Sequence, residues 1–193
     1  MEHNRRTGKA VAAGALFSTM LLAGCVTSMQ GYSGVDNEGK REYLTYAAAE
    51  TPVCLTMSGT PFVGDNQAAA VVAGYASGAI LGSPARFTAD CESTAHPDYR
   101  IVIFANASIV GSPDQLCEEA PIPTHQVAGK LRLDAAFCAK TEPLSTAWSE
   151  GPAPEGINDP VFRRMIWTTM NELFPAEKER KNDREGFRIS ALQ

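Results

Sequence analysis

The chain has 193 residues and a formal net charge of −5, with 44% apolar and 20% charged residues. This balance is typical of a globular protein and excludes a disordered chain, while the acidic excess argues against a nucleic-acid binder. There are five cysteines, so at least one of them cannot take part in an intramolecular disulfide.

The first 24 residues have the features of an export signal. Basic residues precede an uncharged, mostly apolar run at Ala10–Gly24, which is shorter than the roughly 20 residues that cross a bilayer. The run ends in Leu22-Ala23-Gly24-Cys25, which matches the lipobox of bacterial lipoproteins. In those lipoproteins, the small residues fit the signal peptidase and the cysteine thiol is acylated. An ordinary secretory signal that happens to contain a cysteine is the alternative.

We therefore predict that residues 1–24 are removed and that Cys25 carries acyl chains inserted in membrane lipid. Without the signal, the chain has 14 basic and 21 acidic residues, which favours no contact with nucleic acid. In enteric bacteria, Asp after the lipidated cysteine favours the inner membrane. Because Val26 follows here, we expect the periplasmic face of the outer membrane rather than the inner membrane.

The other four cysteines, Cys54, Cys91, Cys117 and Cys138, lie in a segment predicted to be exported. An even set in an oxidising compartment favours two disulfides, and we expect the sequential pairing because it closes the two shortest loops. No two of them have the spacing of a metal site or a redox motif, and no cofactor is predicted.

The remaining chain divides into three parts. Residues 25–41 are rich in Gly, Ser and charge, which predicts a flexible tether. Residues 42–175 would form the globular domain, and residues 176–193 a charged tail.

Several elements are predicted in the domain from turn residues, caps and hydrophobic spacing. The central run Ile101-Val102-Ile103-Phe104 favours an interior strand, and alternation places Cys138 on the face opposite Leu131, Leu133 and Phe137. The predicted elements are strands at 42–48, 51–58, 86–90, 99–107, 130–139 and 146–148, helices at 67–81 and 160–174, and a short helix after Ser112. This order predicts an α+β fold, with one mixed or antiparallel sheet and two main helices mostly on one face.

Few residues suggest catalysis. The carboxylates Asp90, Glu92 and Asp98 lie near His96, where they could serve a glycan hydrolase or bind a cation, although a solvated turn is the simpler interpretation. No nucleophile elbow or phosphate-binding loop is found, and the histidines lack the further donors that a metal site needs. No catalytic residue and no metal ligand is therefore assigned.

Three glycines, Gly74, Gly78 and Gly82, recur every four residues in the apolar run of the predicted first helix. On one helix they would form a flat face, either for packing on the sheet or for self-association. Each glycine costs a helix about 1 kcal/mol relative to alanine, which indicates a packing requirement.

The chain resembles small proteobacterial lipoproteins of unknown function with a DUF4136-like domain. The similarity lies in Leu22-Ala23-Gly24-Cys25, in the strand Leu131–Cys138, and in the ending from Asp159-Pro160-Val161-Phe162 to Leu173-Phe174-Pro175. The resemblance implies an α+β domain that faces the periplasm, and it carries over no catalytic residue.

These observations favour an anchored envelope lipoprotein with a non-enzymatic binding or assembly role. Its expected partners are membrane lipid, through acylated Cys25, and another envelope protein. The alternatives are a cell-wall or glycan hydrolase that uses carboxylates, and a protein that self-associates through Gly74, Gly78 and Gly82.

Overall fold

The computed structural model describes residues 25–59, 62, 68–108, 113–118 and 121–176. The predicted signal, residues 1–24, and nearly all of the charged tail lie outside these residues. In the described part, one six-stranded mixed sheet packs against three helices, which confirms the predicted α+β class. The elements are β1 Thr27–Ser33, α1 Asn37–Ala47, β2 Val53–Ser58, α2 Ala68–Ala76, β3 Phe87–Thr88, β4 Tyr99–Ala105, β5 Lys130–Ala139, β6 Glu142–Pro152 and α3 Pro160–Leu173.

The strand order across the sheet is β1-β6-β5-β4-β2-β3. β2 runs parallel to both β3 and β4, and the other neighbours are antiparallel. β4 is interior, as its continuous apolar run predicts, and lies between β5 and β2. β1 and β3 form the two edges.

The two faces of the sheet carry different residues because side chains alternate along a strand. One face contributes residues such as Leu55, Ile103 and Leu133 to the main core, which also contains side chains of all three helices. The opposite face carries a smaller apolar cluster around Val102 and Phe104. The helices therefore lie mostly on one face, as predicted.

The final helix, α3, begins as its sequence predicts. The Asp159 carboxylate accepts a hydrogen bond from the Val161 backbone N–H at 2.8 Å, and Pro160 occupies the first turn, where its missing N–H costs nothing. Its buried residues are those of the predicted apolar stripe: Phe162, Met165, Ile166, Thr169, Met170 and Leu173.

Both disulfides have the sequential pairing, Cys54–Cys91 and Cys117–Cys138. Cys138 belongs to the smaller cluster, on the face opposite Leu131, Leu133 and Phe137, as the alternation of β5 predicts. Each disulfide links a strand to a neighbouring 3-10 turn: Cys91 begins the turn Cys91–Ser93, and Cys117 follows the turn Pro113–Leu116. The disulfides thus fasten these turns to the sheet.

The predicted tether at residues 25–41 is wrong. Residues 27–33 form β1, which pairs antiparallel with β6 from Thr27↔Glu150 to Ser33↔Ser145, and α1 begins at Asn37. An edge strand needs ladder partners on one side only, so it tolerates the Gly and Ser content that suggested flexibility. The folded domain therefore begins immediately after Cys25.

The strand predicted at residues 42–48 is also wrong, because this segment belongs to α1. The Asp36 carboxylate accepts a hydrogen bond from the Gly39 N–H at 2.8 Å and caps the helix. Lys40, Leu44 and Ala47 then fall on one buried side at helical spacing. The tyrosines favoured a strand locally, but the cap and the burial of this stripe select a helix, which gives three main helices instead of two.

The helix predicted at residues 67–81 ends earlier in the structure than in the prediction, because α2 ends at Ala76. Gly78 and Gly82 have φ values of +85° and +73° and lie in the turns that follow. Only Gly74 is helical, so the three glycines do not form one flat helical face. The flat face that self-association through these glycines would need is therefore absent from the described residues.

The glycines also allow a test of this assignment. We expect Gly74→Ala to stabilise the protein by up to about 1 kcal/mol, because it is helical and a Cβ there meets nothing within 4 Å. Gly78→Ala should destabilise it by about 1 kcal/mol, because its φ is in the left-handed region. Chemical denaturation of the two matched variants measures both effects. Equal stabilisation by both would show that the helix continues through residue 78.

Candidate functional site

A surface cleft of about 730 Å³ lies beside α1 and is lined by Val35, Asp36, Gly39, Glu42, Tyr43, Tyr46 and Tyr99. We call this the tyrosine cleft. Residues 39, 42, 43 and 46 share one side of the helix because they are separated by three or four positions. Gly39 has no side chain, and a Cβ there would lie 3.1 Å from the Asp36 Oδ1 atom that caps the helix. The opposite side of α1 is buried in the protein.

Tyr99, the first residue of β4, brings a third ring to the two rings of α1. Its ring centroid lies 5.9 Å from that of Tyr43 in a stacked arrangement and 5.8 Å from that of Tyr46 in an edge-on arrangement. Tyr99 also contacts the buried ring of Phe137, at 6.2 Å between centroids. The cleft wall is therefore held by aromatic contacts that continue into the core.

Tyr43 and Tyr46 remain open to solvent, with 39% and 55% of their surfaces exposed. His96 packs on Tyr46 with 4.3 Å between ring centroids. Exposed aromatic rings supported from behind by other rings are preorganised, since they lose little conformational freedom when a ligand contacts them. This geometry suits binding.

The charged groups that line the cleft are acidic. The carboxylates of Asp36 and Glu42 line it, and Asp98 lies next to Tyr99. Burial raises the pKa of the Tyr99 hydroxyl, and Tyr43, Tyr46 and Asp98 raise it further. Tyr99 therefore stays a neutral phenol, and the negative charge of the cleft comes from the carboxylates.

Lys40 lies on the buried side of α1, with its side chain fully inside the protein. Its Nζ donates a hydrogen bond to Asn37 Oδ1 at 3.2 Å. Burial lowers the pKa of this amine, and the nearby Asp36 carboxylate partly opposes the effect. Lys40 thus places no amine in the cleft.

The cleft and Cys25 lie at opposite ends of the sheet. Thr27, two residues after Cys25, pairs with Glu150, which pairs with Arg132 near the start of β5. Tyr99 pairs with Ala139, the last residue of β5. Arg132 and Ala139 are seven residues apart on β5, which is about 23 Å along the strand direction.

The residues singled out from sequence are dispersed. Cys25 is exposed and is a free cysteine. Asp90 and Glu92 are exposed beside the Cys54–Cys91 disulfide, whereas the Asp98 carboxylate lies 3.8 Å from Lys140 Nζ. Within the described ranges, no group of His, Cys, Asp and Glu is placed to hold a metal ion.

A second polar site lies on the face of the sheet that carries Cys138. Asp134 is buried, and both of its carboxylate oxygens accept hydrogen bonds from the Arg132 guanidinium at 2.8–3.0 Å. That guanidinium also lies 4.6 Å from the centre of the Trp148 ring. Burial raises the pKa of Asp134, although the hydrogen bonds from Arg132 oppose the effect. The geometry is that of a structural ion pair.

Sequence reasoning missed the tyrosine cleft because it assigned Tyr43 and Tyr46 to a strand, where they would lie on opposite faces of the sheet. Two signals in the sequence could have found it: Asp36 three residues before Gly39, which is a helix-cap spacing, and the apolar residues Leu44 and Ala47 three positions apart. The contribution of Tyr99 depends on tertiary contacts that sequence alone does not reveal.

No protein-family model matches the chain, and no curated protein sequence matches it. Solved structures with some likeness include a PelC dodecamer from Paraburkholderia phytofirmans, with 10% identity, a TM-score of 0.40, and coverage of 80% of this chain and 99% of that one. A single-substitution form of the PelC dodecamer from the same organism has the same identity and TM-score, with coverage of 78% and 97%. These values are too low to assign a fold family or a function.

In the part of the chain that the structure describes, none of the helices has both the length and the apolar character needed to cross a bilayer.

The ion pair on the sheet yields a stability prediction. Arg132→Ala should destabilise the domain by about 2 kcal/mol at neutral pH, because it leaves the buried Asp134 carboxylate unpaired. The pKa of Asp134 is already raised by burial, so the folded variant binds a proton that the unfolded chain releases. The loss of stability in Arg132→Ala should therefore become smaller as the pH falls through the raised pKa of Asp134.

Denaturation across pH measures this loss, with Arg132→Ala, Asp134→Leu as the matched control. The double variant should recover stability at neutral pH, because no unpaired carboxylate remains. A loss in Arg132→Ala that is the same at every pH would contradict the assignment.

Proposed function

We propose that the chain is an exported lipoprotein that is anchored in membrane lipid by acylated Cys25 and has a non-enzymatic binding role in the bacterial envelope. The sequence Leu22-Ala23-Gly24-Cys25 supports the anchor, because it matches the lipobox at every position. Cys25 is also exposed and unpaired, so its thiol is accessible to an acyltransferase.

The pairing of the other cysteines supports an oxidising compartment. Cys54–Cys91 and Cys117–Cys138 both cross-link the domain, and such disulfides persist in the periplasm and outside the cell but are rare in the cytosol. With Val26 after the anchor, the proposal places the domain on the periplasmic face of the outer membrane. The resemblance to small proteobacterial lipoproteins agrees with this location.

The observation that carries the binding role is the place of the tyrosine cleft in the fold. Val26 is partly buried against the core and β1 begins at Thr27, so Cys25 has almost no free chain between lipid and domain. The cleft lies at the other end of the sheet, about 23 Å further along the strands than Thr27. The sheet would therefore present the cleft away from the membrane, toward the periplasm.

A binding function suits the cleft better than a catalytic one. Three tyrosines provide contact surface, and the lining contains carboxylates but neither a serine or cysteine nucleophile nor a histidine. A partner would contact the exposed rings of Tyr43 and Tyr46 while the domain remains fixed by its anchor.

The anchor is tested by expressing the full chain with Cys25→Ala in a bacterium and measuring incorporation of labelled palmitate. We expect the variant to lose all label and to accumulate as the uncleaved precursor, since the lipoprotein peptidase requires the acylated cysteine.

The matched control replaces both Cys117 and Cys138 with Ala. It should keep the label, because these thiols are joined in a disulfide. Label retained by Cys25→Ala would refute the anchoring proposal.

A further inference from the structure

We propose that the tyrosine cleft binds a methylated ammonium group carried on a small organic body, through the ring faces of Tyr43 and Tyr46 and the negative charge of Glu42 and Asp36. This inference rests on the proposed binding function and names its ligand class. The shared chemistry occurs in free choline-like compounds and in choline lipid headgroups.

The rings supply the first part of the recognition. A cation within about 6 Å of an aromatic ring centre is attracted by the negative face of the ring, and methylated ammonium groups are the organic cations that aromatic clusters recognise best. Tyr43 and Tyr46 each pack on Tyr99, and His96 packs on Tyr46. The exposed parts of the two α1 rings, 39% and 55% of their surfaces, remain for a cation to contact. Methyl groups also bury apolar surface against the rings.

The carboxylates supply the second part. Glu42 and Asp36 line the same cleft, and Glu42 is exposed on the helix side that carries Tyr43 and Tyr46. The Asp36 carboxylate accepts the helix-cap hydrogen bond, which fixes its position. Two carboxylates beside neutral rings favour a monovalent cation over an anion or a neutral molecule.

The nearby basic groups do not fill this role themselves. The Arg41 guanidinium donates to the carbonyls of Leu81, Phe174 and Pro175. The buried Lys40 amine donates to Asn37 and interacts electrostatically with Asp36, so Glu42 is the main source of negative charge in the cleft. Lys140 lies 3.8 Å from the Asp98 carboxylate. No lysine or arginine is among the residues that line the cleft.

A metal ion suits the cleft less well. Calcium takes six to eight oxygen ligands, and magnesium six in a strict octahedron. The lining offers two carboxylates, one of which already accepts a backbone hydrogen bond. The rings would also remain unused by a metal, whereas an organic cation uses both kinds of group.

The test is isothermal titration of the detergent-solubilised full chain with choline and with 3,3-dimethylbutanol, a neutral molecule of the same shape. We expect choline to bind roughly tenfold more tightly, because only choline has the charge that the rings and carboxylates attract. Equal affinity for the two probes would overturn the proposal, as would no binding of choline.

Three variants place the binding in the cleft. Tyr46→Leu should weaken choline binding by roughly tenfold, whereas Tyr46→Phe should retain it, because the ring face remains. Glu42→Gln should weaken binding by roughly threefold at low salt. Tyr32→Leu is the matched control, since Tyr32 is similarly exposed, at 49%, but lies outside the cleft. Equal losses in Tyr46→Leu and Tyr32→Leu would refute the site.

Soluble short-chain lipids distinguish the two sources of ligand, since acyl chains on Cys25 would bind any vesicle. Titration of the same protein with dihexanoylphosphatidylcholine, compared with dihexanoylphosphatidylglycerol, should show no binding that depends on Tyr46 if the ligand is a free compound. Binding that requires both the choline headgroup and Tyr46 would identify a lipid headgroup. Palmitate labelling of Cys25 is independent of these measurements, so a failure to bind choline would reject the ligand class without rejecting the anchor.

Discussion

The antiparallel pairing of β1 with β6 is the constraint on which the arrangement of the molecule depends. Backbone hydrogen bonds between these strands hold Thr27 opposite Glu150, only two residues after Cys25. The edge pairing therefore converts a Gly- and Ser-rich segment into a fixed part of the domain. If Cys25 is acylated, the orientation of the sheet relative to the membrane follows from this pairing, because little free chain is left to randomise it.

The same strand determines where the chain enters α1. β1 ends at Ser33, and the Asp36 cap starts the helix three residues later, at the end of the sheet where β4 begins. Tyr43 and Tyr46 consequently meet Tyr99, whose ring packs on Phe137 in the core. The end of the sheet near Cys25 and the end near the tyrosine cleft are thus linked by continuous hydrogen-bonded strands.

The elements that were predictable from sequence are those whose local pattern agrees with their burial. α3 has a cap, a proline and an unbroken apolar stripe, and the alternation of β5 gives the face of Cys138. β1 could not be predicted because an edge strand is selected by its partner rather than by its own residues. The tyrosine cleft depended on assigning α1, and there the β-propensity of tyrosine opposed the cap and the buried stripe.

The central claim is that, with Cys25 acylated, the sheet would hold the cleft away from the membrane. Resonance energy transfer tests it most directly, with an acceptor lipid in the vesicle that holds the acylated protein and a donor attached in separate variants at position 130, the first residue of β5, or at position 140, in the turn that follows β5. Strand geometry separates these positions by about 30 Å, so the account predicts much stronger transfer from position 130. Equal transfer from both positions, or stronger transfer from position 140, would contradict it.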